Sequence, residues 1–271
     1  MPELPEVETT CKGIAPHISG QRINNIILRN PNLRYPITEE FQSQATGLIV
    51  DQVERRAKYI LLRTSSGTII IHLGMSGNLR VVSPATPPLK HDHVDIVFAN
   101  DLCLRFHDPR RFGCIIWTTD NPGDHKLLKD LGVEPFDPTF TGNHCFVRSR
   151  GRKTTIKQFI MDGRIVVGVG NIYASEALFL AGIDPRRPAG RVSKIRYERL
   201  AGTIQSVLKE AIASGGTTLR DFVNGDGKPG YFQQCLRVYG RAGEPCRACG
   251  NAINQQVLGQ RASYFCRRCQ V

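Results

Sequence analysis

The stretch CRACGNAINQQVLGQRASYFCRRC, residues 246–269, decides the fold of the C-terminal part of this 271-residue chain. It contains two Cys-x2-Cys pairs separated by sixteen residues, a spacing typical of four thiolates on one tetrahedral zinc ion. Two disulfides are the less favoured alternative. Because residues 235–271 are too few to bury a sufficient apolar core, metal binding has to supply the folding free energy. We therefore predict a zinc ribbon with one structural zinc ion, whose ligands are Cys246, Cys249, Cys266 and Cys269.

Basic residues surround these cysteines, and Glu244 is the one acid among residues 235–271. The whole chain carries a formal net charge of +12 and has a pI of about 9.5. Positive charge of one sign on a rigid support favours a polyanion such as nucleic acid. Alternatively, the ribbon is a purely structural zinc-binding unit whose basic face is solvated. The arginines concerned are Arg237, Arg241, Arg247, Arg261, Arg267 and Arg268.

The first residues are acidic and contain prolines, unlike a signal peptide, and no apolar run approaches the roughly 18 residues of a membrane span. We therefore expect a cytoplasmic protein with no membrane partner. In a reducing cytosol, cysteines without ligand spacing are expected to be small buried hydrophobes rather than disulfides. Five cysteines fall in this class: Cys11, Cys103, Cys114, Cys145 and Cys235.

Apolar residues at three- and four-residue spacing over residues 4–18 predict an amphipathic helix, with Pro5 in its first turn. Residues 22–118 change to short β-rich runs, several of them alternating, which predicts a β-sandwich or barrel-like sheet packed against that helix. The runs are RINNIILR, LIVDQVERR, KYILLRT, TIIIHL, HVDIVFAN, LCLRF and CIIWT.

Residues 119–147 are rich in Pro, Gly and Asp around a short predicted helix at 125–131, which indicates a connection between domains. Two clear helices follow. IYASEALFLAG ends at Gly182, and IRYERLAGTIQSVLKEAIASGG ends at Gly215. The glycine-rich residues 214–234 predict a loop, and loops of this length are usually functional or disordered.

The start of the chain offers a nucleophile. Removal of the initiator methionine leaves Pro2 as a secondary amine beside Glu3 and Glu6. Such an amine has a pKa near roughly 8, so a useful fraction is neutral and nucleophilic. Its attack on an aldehyde-type sugar carbon gives an iminium, which is an electron sink for later elimination, and a carboxylate alongside can move protons. A helix start whose acids complement the helix dipole explains the same residues without catalysis.

Eight segments in order, together with the cysteine tail, resemble the bacterial formamidopyrimidine-DNA glycosylase family from end to end. One departure is Cys11-Lys12, where the family commonly has two arginines, which affects a surface charge and not the chemistry. The segments are MPELPEVET (1–9), RRAKYILL (55–62), HLGMSG (72–77), HDHVD (91–95), DPRRFG (108–113), VVGVGNIYASEALF (166–179), GGTTLRDF (215–222) and DGKPGYF (226–232).

The resemblance implies catalytic roles for three residues. Pro2 is similar to the nucleophile that attacks C1′ of the damaged nucleotide, and Glu3 to the acid that protonates the deoxyribose ring oxygen. Lys58 resembles the lysine that binds phosphates near the flipped lesion, although charge at a strand flank is usually solvated. The implied reaction is removal of oxidised purines (8-oxoguanine or formamidopyrimidines), followed by β,δ-elimination that nicks the strand.

The resemblance also implies DNA contacts. Met75, Arg110 and Phe112 are similar to residues that fill the gap left by an extruded nucleotide and probe the orphaned base. From the residues alone, core positions near strand ends are the preferred interpretation of Met75 and Phe112, and the full match of DPRRFG to the family reverses that preference. His91 and His93 have no third ligand at metal spacing, so they are interpreted as structural or DNA-facing.

Further along the chain, Asn171 follows two glycines and is predicted to be a helix N-cap, which by itself explains the residue. The resemblance adds a phosphate contact by Asn171 and one by Arg261, with Lys157 as a weaker candidate. A basic run at 148–157 fits an approach to DNA, or a solvated linker.

The predicted fold is α+β and multidomain, with the helix on a β-sandwich, then a helical helix-two-turns-helix domain and the four-cysteine ribbon. We expect a monomer bound to damaged double-stranded DNA. The alternatives are an endonuclease VIII-type glycosylase for oxidised pyrimidines and a non-enzymatic zinc-ribbon DNA-binding protein. The predicted segments are a catalytic domain at 1–131, a linker at 132–150, the helical domain with a lesion loop at 151–234, and the ribbon at 235–271.

Overall fold

The computed structural model describes residues 2–217 and 235–271, and the chain divides into two compact units. The first contains residues 2–129 and 214–217, and the second contains Asp130–Ala213 and residues 235–271. The segment predicted as a linker, 132–150, therefore belongs to the second unit, as does the ribbon.

Helix α1 (Leu4–Ile18) forms at the predicted position in the first unit. Pro5 is tolerated in its first turn, because the nitrogen there needs no helical partner. Glu6 supports the start of the helix, where its Oε2 accepts a hydrogen bond from Glu3 N at 2.8 Å. The apolar face is buried through the residues that gave the pattern, Leu4, Val7, Cys11, Ile14 and Ile18.

The first of two antiparallel sheets contains a buried ionic network. Arg105 donates from Nε and Nη2 to the two carboxylate oxygens of Asp95 at 2.9 and 2.8 Å. Although burial acts in the opposite direction, hydrogen bonds from Arg29 and Arg105 hold the pKa of Asp95 below its usual value. The strands, in spatial order, are β1 (Ile23–Leu28), β6 (Asp92–Phe98), β7 (Cys103–His107) and β5 (Asn78–Val82).

The second sheet is also antiparallel, and a two-residue turn, Ala57 and Lys58, joins its first two strands. Ala57 has φ of +55°, a conformation that L-residues adopt mainly in tight turns. The strands, in spatial order, are β2 (Gln52–Arg56), β3 (Tyr59–Thr64), β4 (Gly67–His72) and β8 (Cys114–Thr118).

One hydrophobic core lies between the two sheets and includes α1 and a second helix, α2 (Glu39–Ala45). Ile26 and Ile96 contribute to it from the first sheet, and Ile69 and Ile71 from the second. The predicted sandwich packed against the first helix is confirmed. Helix α2 and strand β5 were not predicted.

The described residues of the second unit contain four α-helices, and two of them correspond to the clear helices of the sequence. Gly182 ends the first of these in the left-handed region, with φ of +67°, as predicted. The second ends at Ala213, close to the predicted Gly215. The helices are α3 (Gly142–Ser149), α4 (Ile156–Met161), α5 (Asn171–Ala181) and α6 (Lys194–Ala213).

The connection between the units differs from its prediction. The short helix expected at 125–131 is replaced by a 3-10 turn at Pro122–Asp124 and successive hydrogen-bonded turns. A regular helix instead forms later, at α3, where the hydroxyl of Thr141 caps His144 N at 3.1 Å. The predicted linker thus carries a capped helix that packs on α6.

The ribbon is a two-stranded hairpin, β9 (Asn254–Leu258) and β10 (Arg261–Phe265). Its turn residues Gly259 and Gln260 have φ of +54° and +63°, as a tight two-residue hairpin requires. The chain entering the ribbon is fixed to α5 by buried Glu176, whose carboxylate accepts hydrogen bonds from three successive backbone amides at 237–239.

Four cysteines outside the ribbon are buried, as predicted. Burial raises the pKa of Cys11, Cys103 and Cys145 to about 12 and that of Cys114 to about 11, so these thiols stay protonated. Cys235 is half-buried. In the described part of the chain, no helix is long and apolar enough to cross a membrane.

Candidate active site and nucleic-acid interface

The predicted nucleophile and acid lie together at the head of α1. Pro2 is buried and Glu3 is 2 % exposed. Glu6, also buried, accepts from Glu3 N through Oε2 and from Thr217 N through Oε1, both at 2.8 Å. One carboxylate therefore fixes the backbone of Glu3 and the end of the described segment 214–217. The sequence pointed to Glu6, but nothing in it predicted Thr217 as a partner.

Lys58 lies in the turn between β2 and β3 rather than within a strand, and it is half-buried. His72 lies across the hairpin from Tyr59, with ring centroids 4.8 Å apart. Burial, together with the positive charges of Lys58 and Arg34, lowers the pKa of His72 to about 4. The ring of His72 is therefore neutral near pH 7, and Lys58 is a charged neighbour of it.

Met75 and Phe112 belong to two loops of the first unit and are 38 % and 47 % exposed, so the interpretation of both as core is wrong. The guanidinium of Arg110 lies 4.8 Å from the centre of the Phe112 ring, within the range of a cation–π contact. A cavity of about 420 Å³ lies beside these side chains. Its lining residues are Arg34, His72, Gly74, Met75 and Phe112.

The two predicted histidines have different environments. His93 is buried, and its Nε2 lies 2.8 Å from the backbone oxygen of Asp108, so it donates there as a structural residue. His91 is only half-buried, with its ring 6.3 Å from that of His93 and 5.9 Å from that of His107. Of the pair, His91 is the one with side-chain surface available to a ligand.

Sequence reasoning missed three residues beside the exposed side chains, namely Arg34, His72 and Asp108. Two of them could have been identified from the sequence, because His72 is the first residue of the motif HLGMSG and Asp108 is the first residue of DPRRFG. Arg34 lies in no motif, and only the fold brings it to the cavity.

In the second unit, Asn171 is the first residue of α5 and Gly170 is the N-cap, so the N-cap prediction is wrong. Asn171 Nδ2 instead donates to Ala262 O at 3.0 Å. Its Oδ1 is buried without a protein partner. A buried acceptor of this kind is the atom that an incoming donor or a water would satisfy.

Lys157 is 1 % exposed. Its Nζ donates to Ser263 Oγ at 2.8 Å and to Ala262 O at 3.1 Å. Two side chains from the helical part, Lys157 and Asn171, therefore hold one carbonyl of β10. Arg261, the residue before that carbonyl, is exposed. In this arrangement Lys157 supports the strand that carries Arg261, and its own contact with DNA stays a prediction.

The basic run at 148–157 is not uniformly solvated. Arg150 stacks on the Phe146 ring at 3.9 Å and donates to the carbonyl of Val192 at 2.9 Å, although the residue as a whole is exposed. Arg148, Arg152 and Lys153 are exposed as well. Lys157 is the one buried basic residue of the run, and the other four are available to a polyanion.

The four ribbon cysteines form the one group of potential metal ligands found among the described residues, with all four Sγ atoms within 4.8 Å of one another. The Cys246–Cys269 and Cys249–Cys266 sulfurs are 3.9 and 3.4 Å apart. A tetrahedron with Zn–S bonds of about 2.3 Å requires sulfurs about 3.8 Å apart, so the residues fit zinc.

The glycine-rich loop predicted at 214–234, which is the lesion loop of the predicted helical domain, falls largely outside the described residues. Its first residues are described, and Thr217 N is the group bound by Glu6.

Comparison with known proteins gives matches along the whole chain. Three family models match: the formamidopyrimidine-DNA glycosylase N-terminal domain over residues 1–115, the H2TH domain of that enzyme over residues 131–223, and the zinc finger found in FPG and IleRS over residues 243–271. The last match agrees with the four-cysteine geometry, and the chain holds one structural zinc ion.

Full-length relatives and solved structures match the same enzyme family as the family models. The formamidopyrimidine-DNA glycosylases of Methylococcus capsulatus and Pseudomonas aeruginosa are 58 % and 57 % identical over 270 residues, covering 100 % of each chain. The MutM (Fpg) protein of Thermus thermophilus is 36 % identical with a TM-score of 0.89, covering 99 % of this chain and 98 % of that one. Wild-type Lactococcus lactis Fpg, in complex with an N7-benzyl-Fapy-dG containing DNA, is 33 % identical with a TM-score of 0.92, covering 99 % of both. The chain belongs to the formamidopyrimidine-DNA glycosylase family.

Proposed function

We propose that the protein removes oxidised purines, 8-oxoguanine and formamidopyrimidines, from duplex DNA in base excision repair and then nicks the strand. The observation that carries this proposal is the combination, in the first unit, of a buried Pro2–Glu3 start with exposed Met75 and Phe112. The first pair suits attack on a sugar carbon, and the second suits insertion into a base step. The relatives named above carry the purine-directed name, which supports this proposal over the pyrimidine-directed alternative.

The base has to leave the helix because its sugar carbon is shielded in the stack. The Pro2 nitrogen then attacks C1′ as the bond from C1′ to the damaged base breaks, and the base departs. Glu3 protonates the deoxyribose ring oxygen, so the ring opens to an iminium. The positive nitrogen draws electrons from the C2′–H bond as its proton is removed, and the phosphate at C3′ leaves. Loss of a second proton, from C4′ of the resulting conjugated iminium, then expels the phosphate at C5′.

The chain's own contacts suit these steps. Glu3 is almost fully buried and directly follows Pro2, so its carboxyl group lies at the head of α1 beside the proposed nucleophile. The bond from Glu3 N to Glu6 fixes the backbone beside Pro2. Lys58, Asn171 and Arg261 are proposed to bind phosphates, and Arg110 to hydrogen-bond the orphaned base.

We also propose that the protein works as a monomer in the bacterial cytoplasm, where it meets the nucleoid. The bacterial origin of the relatives supports the proposed location.

The mechanism is tested by trapping the iminium with sodium borohydride in the presence of a duplex that contains 8-oxoguanine. We expect a covalent adduct of one protein chain and one DNA strand, which mass spectrometry maps to Pro2. A preparation that retains Met1 is the matched control, because its proline nitrogen is an amide and cannot form the adduct. Mapping of the adduct to a lysine would overturn the assignment of Pro2.

Replacing Arg261 by Ala is expected to weaken binding to damaged and undamaged duplexes alike. Because a phosphate contact releases counterions, the log–log dependence of affinity on salt should become shallower by about one. Binding titrations at several salt concentrations measure both quantities.

Lys157→Met is the contrasting variant, since it removes a charge that is buried on Ser263 and Ala262. It should lower affinity through the position of β10 and leave the salt slope unchanged. A slope that falls by about one in Lys157→Met, or one that stays constant in Arg261→Ala, would reverse the two assignments.

A further inference from the structure

A single buried carboxylate joins the two loops that carry Met75 and Phe112. Asp108 is 0 % exposed. Its Oδ1 accepts a hydrogen bond from Ser76 Oγ at 2.9 Å, and its Oδ2 accepts one from Gly113 N at 2.8 Å. Each donor residue directly follows one of the exposed side chains in the sequence. The two oxygens of Asp108 therefore hold the two loops at the points next to Met75 and Phe112.

The loops are also in backbone contact at this position. Gly74 has φ of +65°, and a Cβ on it would lie 2.4 Å from Gly113 N and 2.5 Å from the carbonyl carbon of Phe112. A Cβ on Gly113 would lie 2.6 Å from His72 O. No side chain separates the two backbones, so one loop cannot shift without displacing the other.

The peptide groups of Asp108 fix it in turn to the first sheet. Its N donates to His91 O at 3.0 Å, and its carbonyl oxygen accepts from His93 Nε2 at 2.8 Å and from Arg111 N at 3.2 Å. The backbone of Asp108 is therefore fixed by hydrogen bonds to the start of strand β6 and to the turn before Phe112.

Asp108 forms no ion pair among the described residues, and its carboxylate is held by neutral donors alone. Burial of a carboxylate without a cation is unfavourable, and a hydrophobic residue of similar size is often the more stable choice for a core. A carboxylate does offer two strong acceptors in one plane, which a hydroxyl or a hydrophobic residue lacks. General stabilisation of the sandwich therefore does not account for this residue, whereas fixation of two loops does.

We infer that Asp108 is a positioning residue that holds Met75 and Phe112 as one rigid wedge, so that both side chains enter a DNA base step together. The inference rests on the proposed function, in which these two side chains fill the gap left by the extruded nucleotide. The two gap-filling residues then act as a single unit, positioned by a residue that is itself fully buried.

The test uses full-length protein and a duplex with 2-aminopurine next to a tetrahydrofuran abasic-site analogue. Insertion of the wedge unstacks 2-aminopurine, so wild-type protein should raise its fluorescence at saturation. Asp108→Ala removes both acceptors and should lose most of this rise. It should also bind the analogue duplex about tenfold more weakly, as expected for two lost hydrogen bonds, while its affinity for undamaged duplex stays the same. Ser76→Ala removes the hydroxyl that donates to Asp108 Oδ1 and should give an intermediate rise in fluorescence.

Asp108→Asn is the rescuing variant. Its Oδ1 can still accept from Gly113 N while its Nδ2 donates to Ser76 Oγ, so it should restore most of the fluorescence rise. Ile96→Ala is the control for stability, because Ile96 is buried on β6 and has no part in either loop. It should lower the Tm and leave the fluorescence rise unchanged at saturation.

The outcomes separate the inference from the proposed function. A wild-type protein without any fluorescence rise would remove the gap-filling role and the inference with it. A full rise in both Asp108→Ala and Ser76→Ala, with wild-type behaviour intact, would overturn the inference alone. A loss in Asp108→Asn equal to that in Asp108→Ala would also overturn it, because the two hydrogen bonds would not be what matters.

Discussion

Replacement of Glu3 by Gln is expected to slow excision of 8-oxoguanine by roughly 10²- to 10⁴-fold, the usual contribution of a general acid. Gln has nearly the same shape and keeps the backbone that Glu6 binds, but it cannot protonate the deoxyribose ring oxygen. Binding to a duplex with an abasic-site analogue should survive, since no proton moves there. Single-turnover excision and equilibrium binding, measured on the same preparation, separate the two effects.

Glu8→Gln is the matched control, because Glu8 lies on the same helix and pairs with Arg55 at 2.7 Å. It should excise the base at close to the wild-type rate. A Glu3→Gln protein that keeps full excision would exclude Glu3 as the acid. Equal loss in the two variants would indicate damage to α1 as a whole.

Loss of zinc is expected to have the second large effect. Cys249→Ala should reduce the zinc content from one ion per chain to near zero, because structural zinc contributes about 10–16 kcal/mol to such small segments and three ligands hold it far less well. Without the metal, the hairpin β9–β10 loses its fold, and Arg261 loses its fixed position. Affinity for DNA should therefore fall at least as far as in Arg261→Ala.

Cys235→Ser provides the control, since Cys235 is half-buried in the same segment and lies outside the ligand set. Its zinc content and DNA affinity should match those of the wild type. The first unit should remain folded in Cys249→Ala, which its thermal unfolding checks. Full zinc content or undiminished DNA affinity in Cys249→Ala would contradict the role assigned to the metal.

Features set by local sequence were predictable. The spacing of Leu4, Val7, Cys11 and Ile14 predicts α1, and the spacing of the four cysteines predicts the zinc ligands. Each pattern lies within one short continuous segment of the sequence. Strand β5 (NLRVV) was missed, and the ion pair that its Arg80 forms with Asp92, 2.6 Å away on β6, has no signature in the local sequence. A sequence does not reveal which distant carboxylate will satisfy an arginine.

The candidate site follows the same division. Pro2 and Glu3 are adjacent in sequence and were identified together. Lys157 is a weaker candidate for a phosphate contact, and its burial depends on Ser263, a partner 106 residues away that the sequence does not reveal. The predicted N-cap, Asn171, is replaced by Gly170, and the Asn171 amide donates to Ala262 of β10. Long-range hydrogen bonds of this kind have no local signature.

The burial of four thiols has a consequence for oxidative stress. Reaction with peroxide requires an accessible thiolate, and the raised pKa values of Cys11, Cys103, Cys114 and Cys145 keep these groups protonated inside the protein. Among the described cysteines, the thiolates of the ribbon are then expected to react with an oxidant before these four buried thiols. Oxidative inactivation would begin as loss of metal and of DNA affinity, with the sandwich intact, and reduction together with fresh zinc would reverse it.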